Sequence, residues 1–229
     1  MSDRRQLLAD AALRVLADDG ARALTHRAVD AAAELPSGST SYYFRSRASL
    51  LAGCVHRLLE RDEDELDALA PLVTAAEPQQ LVAALSGLLQ RWLTTGRGRQ
   101  LARYELTMEA VRRPELAAEL HQAGAALRAR MAGTLATCGA DDPERQARLL
   151  VACVDGIMFD RIAGANADRP ADRVELDLAA RDLLASVLPA VRRTAGGPGA
   201  GAPRSSPPPA APDPPPGRRR TAASAGPAG

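Results

Sequence analysis

Between Leu24 and Arg47 the chain reads LTHRAVDAAAELPSGSTSYYFRSR, and this stretch constrains the fold more than any other: it holds room for two very short helices and a tight turn. Thr25 is a good N-cap, and Leu24 before it can pack on Val29 as a hydrophobic staple, so a helix is predicted from His26. Ala28, Val29 and Ala32 form its buried side. The pattern breaks at Glu34-Leu35-Pro36, because proline disfavours the α conformation in the residue before it and can open a new helix. A second helix is predicted from Ser37 to about Phe44.

That second helix begins small and hydroxyl-rich (Ser37, Gly38, Ser39, Thr40, Ser41) and ends aromatic (Tyr42, Tyr43, Phe44), although aromatic residues make up only 3% of the chain. Such a face suits a nucleic-acid groove. Small residues let the backbone approach base edges, hydroxyls donate or accept there, and phenol groups reach phosphate oxygens. Arg27, Arg45 and Arg47 flank it with positive charge. Spacing alone equally allows a helical hairpin whose polar residues merely face water, because such patterns are degenerate.

The segment from Asp3 to Leu51 resembles the DNA-binding domain of the TetR family of bacterial transcriptional regulators. A long first helix is closed by Gly20, Thr25 opens the second, and Gly38-Ser39-x-x-Tyr42-x-Phe44 is followed by Ser46-Arg47 and Leu50-Leu51. The resemblance implies phosphate contacts from Thr25, His26 and Arg27. It implies base reading by Ser37, Gly38, Ser39 and Ser41, backbone contacts from Tyr42 and Tyr43, and a phosphate anchor at Arg47. Three positions depart from the family pattern: Pro36 replaces a usual serine cap, Thr40 a core leucine, and Ser41 a DNA-facing tyrosine.

Across 229 residues the net charge is only +1, which fits positive charge local to one face rather than a general nucleic-acid coat. All 29 basic residues are arginine. Without lysine, a P-loop and Schiff-base chemistry are excluded. Cys54, Cys138 and Cys153 are odd in number and widely spaced, as expected of reduced thiols in a cytoplasmic protein. Neither a signal peptide nor a membrane span is predicted, since Asp10 and Arg14 interrupt the first apolar run.

The rest reads as helix throughout. The first helix, about Asp3 to Asp19, places Leu7, Leu8, Ala11, Ala12, Val15 and Leu16 on one face. Helix 4 runs from Arg47 towards Leu69, with a charged run from Glu60 to Asp67 read as a solvated face. Helices follow at about Pro78 to Thr94, Arg99 to Arg113, Pro114 to Cys138, Pro143 to Ala163 and Ala171 to Arg193. Helix 8 is apolar nearly all round from Leu149 to Met158 and must be covered on more than one side. Helices 8 and 9 are therefore the candidate homodimer interface, with Gly156 permitting close approach. The fold class is all-α: a three-helix helix-turn-helix domain at residues 1–48, a larger helical ligand-binding and dimerisation domain at 49–193, and a disordered Pro/Gly/Ala-rich tail at 194–229. Within that tail Arg218-Arg219-Arg220 either attracts phosphate weakly or is simply solvated.

The resemblance implies that helices 4 to 8 enclose a pocket for a small-molecule effector that lowers affinity for a palindromic operator in double-stranded DNA. ARYELTMEAVRRPEL and DGIMFDRI are similar to one C-terminal subgroup of the family. Trp92, Tyr104, Met108 and Phe159 are candidate pocket walls, with Glu105, His121 and Asp155 as polar handles. Each is also compatible with ordinary core or surface. The arginines from Arg91 to Arg113 suit either an anionic effector or a solvated face. The expectation is a homodimeric, ligand-responsive repressor that needs no cofactor or metal and does not touch a membrane. Two alternatives stand beside it: an all-α enzyme using Glu105, His121 and Asp155, which lacks any HExxH, CxxC or phosphate loop, and a protein-binding helical adaptor.

Overall fold

Helices alone make up the described part of the protein; a computed structural model describes residues 3–73, 77–189 and 191–192. The tail expected at 194–229 lies outside the described residues. All the described helices belong to one structural unit.

The first, α1 (Asp3–Ala23), is interrupted at Gly20, whose φ of 77° and ψ of 175° turn the backbone out of the helix. Glycine adopts that conformation with least strain. Next, α2 (His26–Ala32) starts where the cap signal put it, with Thr25 Oγ1 accepting from the Ala28 N–H at 3.1 Å. The short α3 (Ser39–Tyr43) starts later than the proline signal indicates, because Gly38 sits at φ 96° and Ser37 stays in the turn.

The long α4 (Arg47–Val73) carries the chain away from this region. Its charged run is a solvated face only in part: Glu63, Asp64 and Asp67 are exposed, while Asp62 and Glu65 are half-buried. Asp62 pairs with Arg103 at 2.7 Å, Glu65 with Arg99, and Asp67 with Arg130 at 2.7 Å, so the run ties α4 to its neighbours. Trp92 Nε1 also donates to Glu65, at 2.8 Å. A carboxylate row facing an arginine-only chain finds partners across helices; the pattern of one helix cannot register this.

The remaining helices are α5 (Pro78–Leu93), α6 (Arg97–Ala110), α7 (Pro114–Thr137), α8 (Pro143–Ile162) and α9 (Arg173–Val187). Proline opens α5, α7 and α8, where its missing N–H costs nothing. The last ends before its expected limit: Pro189 biases the residue before it to extended backbone, and Leu188 sits at φ −123° and ψ 112°.

Three apolar clusters hold the helices. The first joins α1, α2, α4 and Phe44 to Ala102, Leu106 and Ala110 of α6, so α6 lies along α1. The second gathers α5, α7, α8 and α9 around Leu135, Leu150 and Leu184, and the third joins α5, α8 and α9 around Leu89, Met158 and Leu176. As its apolar run requires, α8 is covered on more than one side, by α7 on one hand and by α5 and α9 on the other, while Leu149, 43% exposed, and Phe159, 51% exposed, remain open.

Candidate functional site

The polar half of α3 is set in place by one buried carboxylate. Asp30, on α2, accepts from the Gly38 N–H at 2.8 Å, the Thr40 N–H at 2.7 Å and the Thr40 hydroxyl at 2.5 Å. It serves as the cap that α3 lacks from its own residues, supplied from the neighbouring helix. Burial pushes the Asp30 carboxyl up, but the hydrogen bonds from Thr40 and Gly38 and the charge of His26 outweigh it, so its pKa lies below the ordinary 3.8. Thr40 is fully buried, so the departure from leucine trades apolar contact for this anchor.

At its other end α3 is held by Phe44, whose ring is fully buried. Burying a side chain of that size contributes up to about 3 kcal/mol. Gly53 of α4 makes the space: a Cβ there would stand 2.3 Å from the ring. The Arg5 guanidinium lies over the ring, 5.1 Å from its centroid.

The predicted contact residues divide into two groups. Ser37, Gly38, Ser41, Tyr42, Thr25 and Arg27 are exposed, Tyr42 at 77%, while Ser39 and Tyr43 are partly buried. The Ser39 hydroxyl donates to Pro36 O at 2.6 Å and the Ser41 hydroxyl to Gly38 O at 2.9 Å, which leaves their oxygens free to accept. The Tyr42 and Tyr43 rings meet edge to face with centroids 5.0 Å apart.

His26 and Arg47, expected at phosphates, also brace the backbone. His26 Nε2 lies 2.5 Å from the Phe44 carbonyl oxygen and braces the end of α3. Arg47 donates to the Leu24 carbonyl and, at 2.5 Å, to the Ala21 carbonyl, closing the end of α1. Both side chains are committed to backbone, because the α1 end and the α3 end leave acceptors within their reach. Exposed Arg27 and Arg45 are the cations left facing outward beside α3. Asp30 and Thr40 were missed as positioning residues; an aspartate on a helix face otherwise read as buried was the signal.

The ligand candidates are not gathered on one enclosed site. Trp92 and Tyr104 pack beside the third cluster, and Met108 is 59% exposed. The Tyr104 and Phe159 rings meet edge to face at 5.3 Å. Burial, and then the charge of Asp155, push the Tyr104 phenol up to about 12. Glu105 Oε2 accepts from the Ala21 N–H at 2.8 Å, tying α6 to the end of α1. His121 and Asp155 line a wide groove of about 1320 Å³ between α4, α6, α7 and α8, together with Asp62, Arg103 and Leu120. A smaller cavity of about 300 Å³ lies among α4, α5, α7, α8 and α9, lined by Leu81, Leu85, Met131, Leu135 and Leu150. None of the candidates lines it, because its leucines read in sequence as plain core. The arginines from Arg91 to Arg113 are internal partners rather than an open anion site: Arg91, Arg99 and Arg103 face α4 carboxylates, Arg97 donates to the end of α8, and Arg112 and Arg113 pair with Glu109.

Among the described residues no group of three or more His, Cys, Asp and Glu is placed to hold a metal ion, and no helix is long and apolar enough to cross a membrane. Burial pushes the Cys54 thiol up to about 12, which leaves it unreactive in the first cluster.

Residues 76–190 match the family described as "Tetracyclin repressor-like, C-terminal domain". The HTH-type transcriptional regulator BetI of Rhizobium meliloti (strain 1021) is 34% identical over 155 residues, which cover 67% of this chain and 75% of BetI. The chain belongs to the TetR family of transcriptional regulators. A TetR-family structure from Streptomyces coelicolor A3 is similar at 31% identity and a TM-score of 0.62, covering 79% of this chain and 98% of that one. The multidrug binding protein EbrR complexed with ethidium is similar at 30% identity and a TM-score of 0.59, covering 80% of this chain and 98% of EbrR.

As a TetR-family chain it is a DNA-binding regulator with a helix-turn-helix domain and a helical C-terminal domain. The same helices that pack as plain core in the first cluster hold α3 outward, and α4 leads directly from α3 into the C-terminal domain.

Proposed function

We propose that the protein is a homodimeric repressor that holds a palindromic operator through α3 and releases it when a small molecule binds the C-terminal domain. The observation that carries this reading is the exposed face of Ser37, Gly38, Ser41 and Tyr42, anchored from behind by buried Asp30 and flanked by Arg27 and Arg45. Small residues at the helix start let it enter a major groove, and the outward cations lie where phosphates would run. The DNA-binding part spans 1–48 and the ligand-binding and dimerisation part 49–193, with 194–229 as a tail.

Dimerisation runs through α8 and α9. Leu149, Phe159, Val174 and Leu178 are exposed apolar side chains on these two helices, and Gly156 has open space above it. Four such helices from two chains close a bundle around a two-fold axis and set the two α3 helices for half-sites about one DNA turn apart. Ligand response is supported by the two cavities and by EbrR, a similar structure named as a multidrug binding protein and complexed with ethidium. Coupling has a physical route: Glu105 of α6 holds Ala21 N–H, while Arg47 of α4 holds the Ala21 carbonyl, so movement of α6 or α4 reaches the helix-turn-helix directly. A protein that touches DNA and no membrane belongs in the cytoplasm.

Selection from random-sequence duplexes with the full chain, read by gel shift, tests the reading. An inverted repeat with half-sites about one turn apart is expected. Selection of no sequence, or of a single unpaired half-site, would overturn it.

A further inference from the structure

We propose that the leucine-lined cavity takes an aliphatic carboxylic acid, its chain among the leucines and its carboxylate on the Arg130 guanidinium in place of Asp67. The inference rests on the ligand-responsive reading above and names the chemical class of the ligand. The cavity, about 300 Å³, lies at the small end of the range for small-molecule sites. Its walls are Leu81, Leu85, Leu88, Leu127, Leu135 and Leu150. Thr134 and Thr137 also reach it, but their hydroxyls donate within α7 to the Arg130 and Thr134 carbonyls at 3.3 and 2.8 Å.

Arg130 is the charged side chain among the described lining residues, and no carboxylate joins it there. Its present partner is Asp67 on α4, at 2.7 Å, with a side chain 73% exposed. An exposed ion pair is held weakly. A carboxylate arriving from the cavity side offers the same planar acceptor to the guanidinium fork and brings apolar burial that Asp67 cannot.

Charge and shape both argue against a planar cation here. All six aromatic residues of the chain lie elsewhere: Tyr42, Tyr43 and Phe44 around α3, and Trp92, Tyr104 and Phe159 away from the cavity lining. The cavity therefore has neither a ring to stack on a cation nor a carboxylate to neutralise it. Exchange at Arg130 also has a mechanical result. It breaks a pair between α7 and α4, the helix that begins at the end of the helix-turn-helix.

The test is calorimetric titration of the full chain with saturated acids from hexanoate to dodecanoate, with alcohols of equal length, and with ethidium. Anisotropy of the selected operator is followed in parallel. Each added methylene is expected to tighten binding about fourfold until the cavity is full. At equal length the acid binds about tenfold or more tighter than the alcohol. Arg130→Gln removes that difference and keeps the chain-length dependence, while Leu150→Phe, which enlarges a buried side chain on the cavity wall, shortens the longest chain accepted. Equal binding of acid and alcohol, unchanged acid affinity in Arg130→Gln, or ethidium displacing the acid would each overturn the assignment. Acid binding with these signatures but an unmoved operator complex overturns the ligand-responsive reading and leaves the cavity assignment standing. Operator release by another compound while no acid binds overturns the cavity assignment alone.

Discussion

Asp30 and Arg47 hold the DNA-binding element from within the protein, each through hydrogen bonds to backbone. Asp30 gathers two backbone N–H groups and a hydroxyl in a buried place. Thr40→Val removes one charge-assisted hydrogen bond and is expected to lower stability by about 1 to 3 kcal/mol, read by thermal unfolding. Asp30→Ala orphans the Gly38 and Thr40 N–H groups as well and costs more. Arg47→Ala separates bracing from phosphate contact. Its two carbonyl partners are lost, so stability falls by about 1 to 3 kcal/mol while the salt dependence of operator affinity keeps its slope. Arg27→Ala and Arg45→Ala are expected to do the reverse, reducing the slope by about one each with stability changed by less than about 0.5 kcal/mol. A reduced slope in Arg47→Ala would return that residue to the contact surface.

At the scale of elements, α3 stands on an acid-sensitive support. Asp30 and Asp10 both have pKa values below the ordinary 3.8. For Asp10, which joins α1 to α4, burial raises the value, but hydrogen bonds from Arg57 and Arg61 lower it further. A depressed carboxyl contributes stability that is complete above the unfolded-state pKa near 4 and is lost as pH falls through the folded value. Unfolding free energy should therefore hold steady from neutrality to about pH 4 and then fall. In Thr40→Val that fall should be shallower, because the Asp30 shift is smaller. Two glycines give opposite outcomes on neighbouring physical grounds. Gly53→Ala forces a Cβ to 2.3 Å from the Phe44 ring and is expected to cost about 1 to 3 kcal/mol. Gly133→Ala meets nothing within 4 Å and is expected to stabilise α7 by up to about 1 kcal/mol. Chemical denaturation of both variants checks the pair.

Among the described residues α6 lies along α1, and α4 is pinned by ion pairs at Asp10, Asp62, Glu65 and Asp67. Of these the Asp67–Arg130 pair is the exposed one and contributes about 1 kcal/mol or less, while the other three are half-buried. Assembly is tested at the same scale. Leu178→Arg, on a side chain 56% exposed, should leave the unfolding transition of a single chain nearly unchanged. It should shift sedimentation from dimer to monomer and weaken operator binding, because two linked half-site contacts become one. An unaltered dimer would remove α9 from the proposed interface.

Local sequence signals alone set where α2, α5, α7 and α8 begin, since Thr25, Pro78, Pro114 and Pro143 act within their own turns, and Gly20 interrupts α1 through backbone sterics. Apolar periodicity also placed the α1 side of the first cluster, from Leu8 to Leu16, since that needs only the spacing of one helix, but not the α6 side at Ala102 and Leu106. Tertiary structure alone decided the rest. That α3 begins at Ser39 depends on a carboxylate from α2, that Arg47 and His26 brace the backbone depends on which carbonyls fold back beside them, and that the run after Glu60 is paired depends on arginines far along the chain. Such pairings join residues whose separation in sequence carries no period, so only the packed chain reveals them.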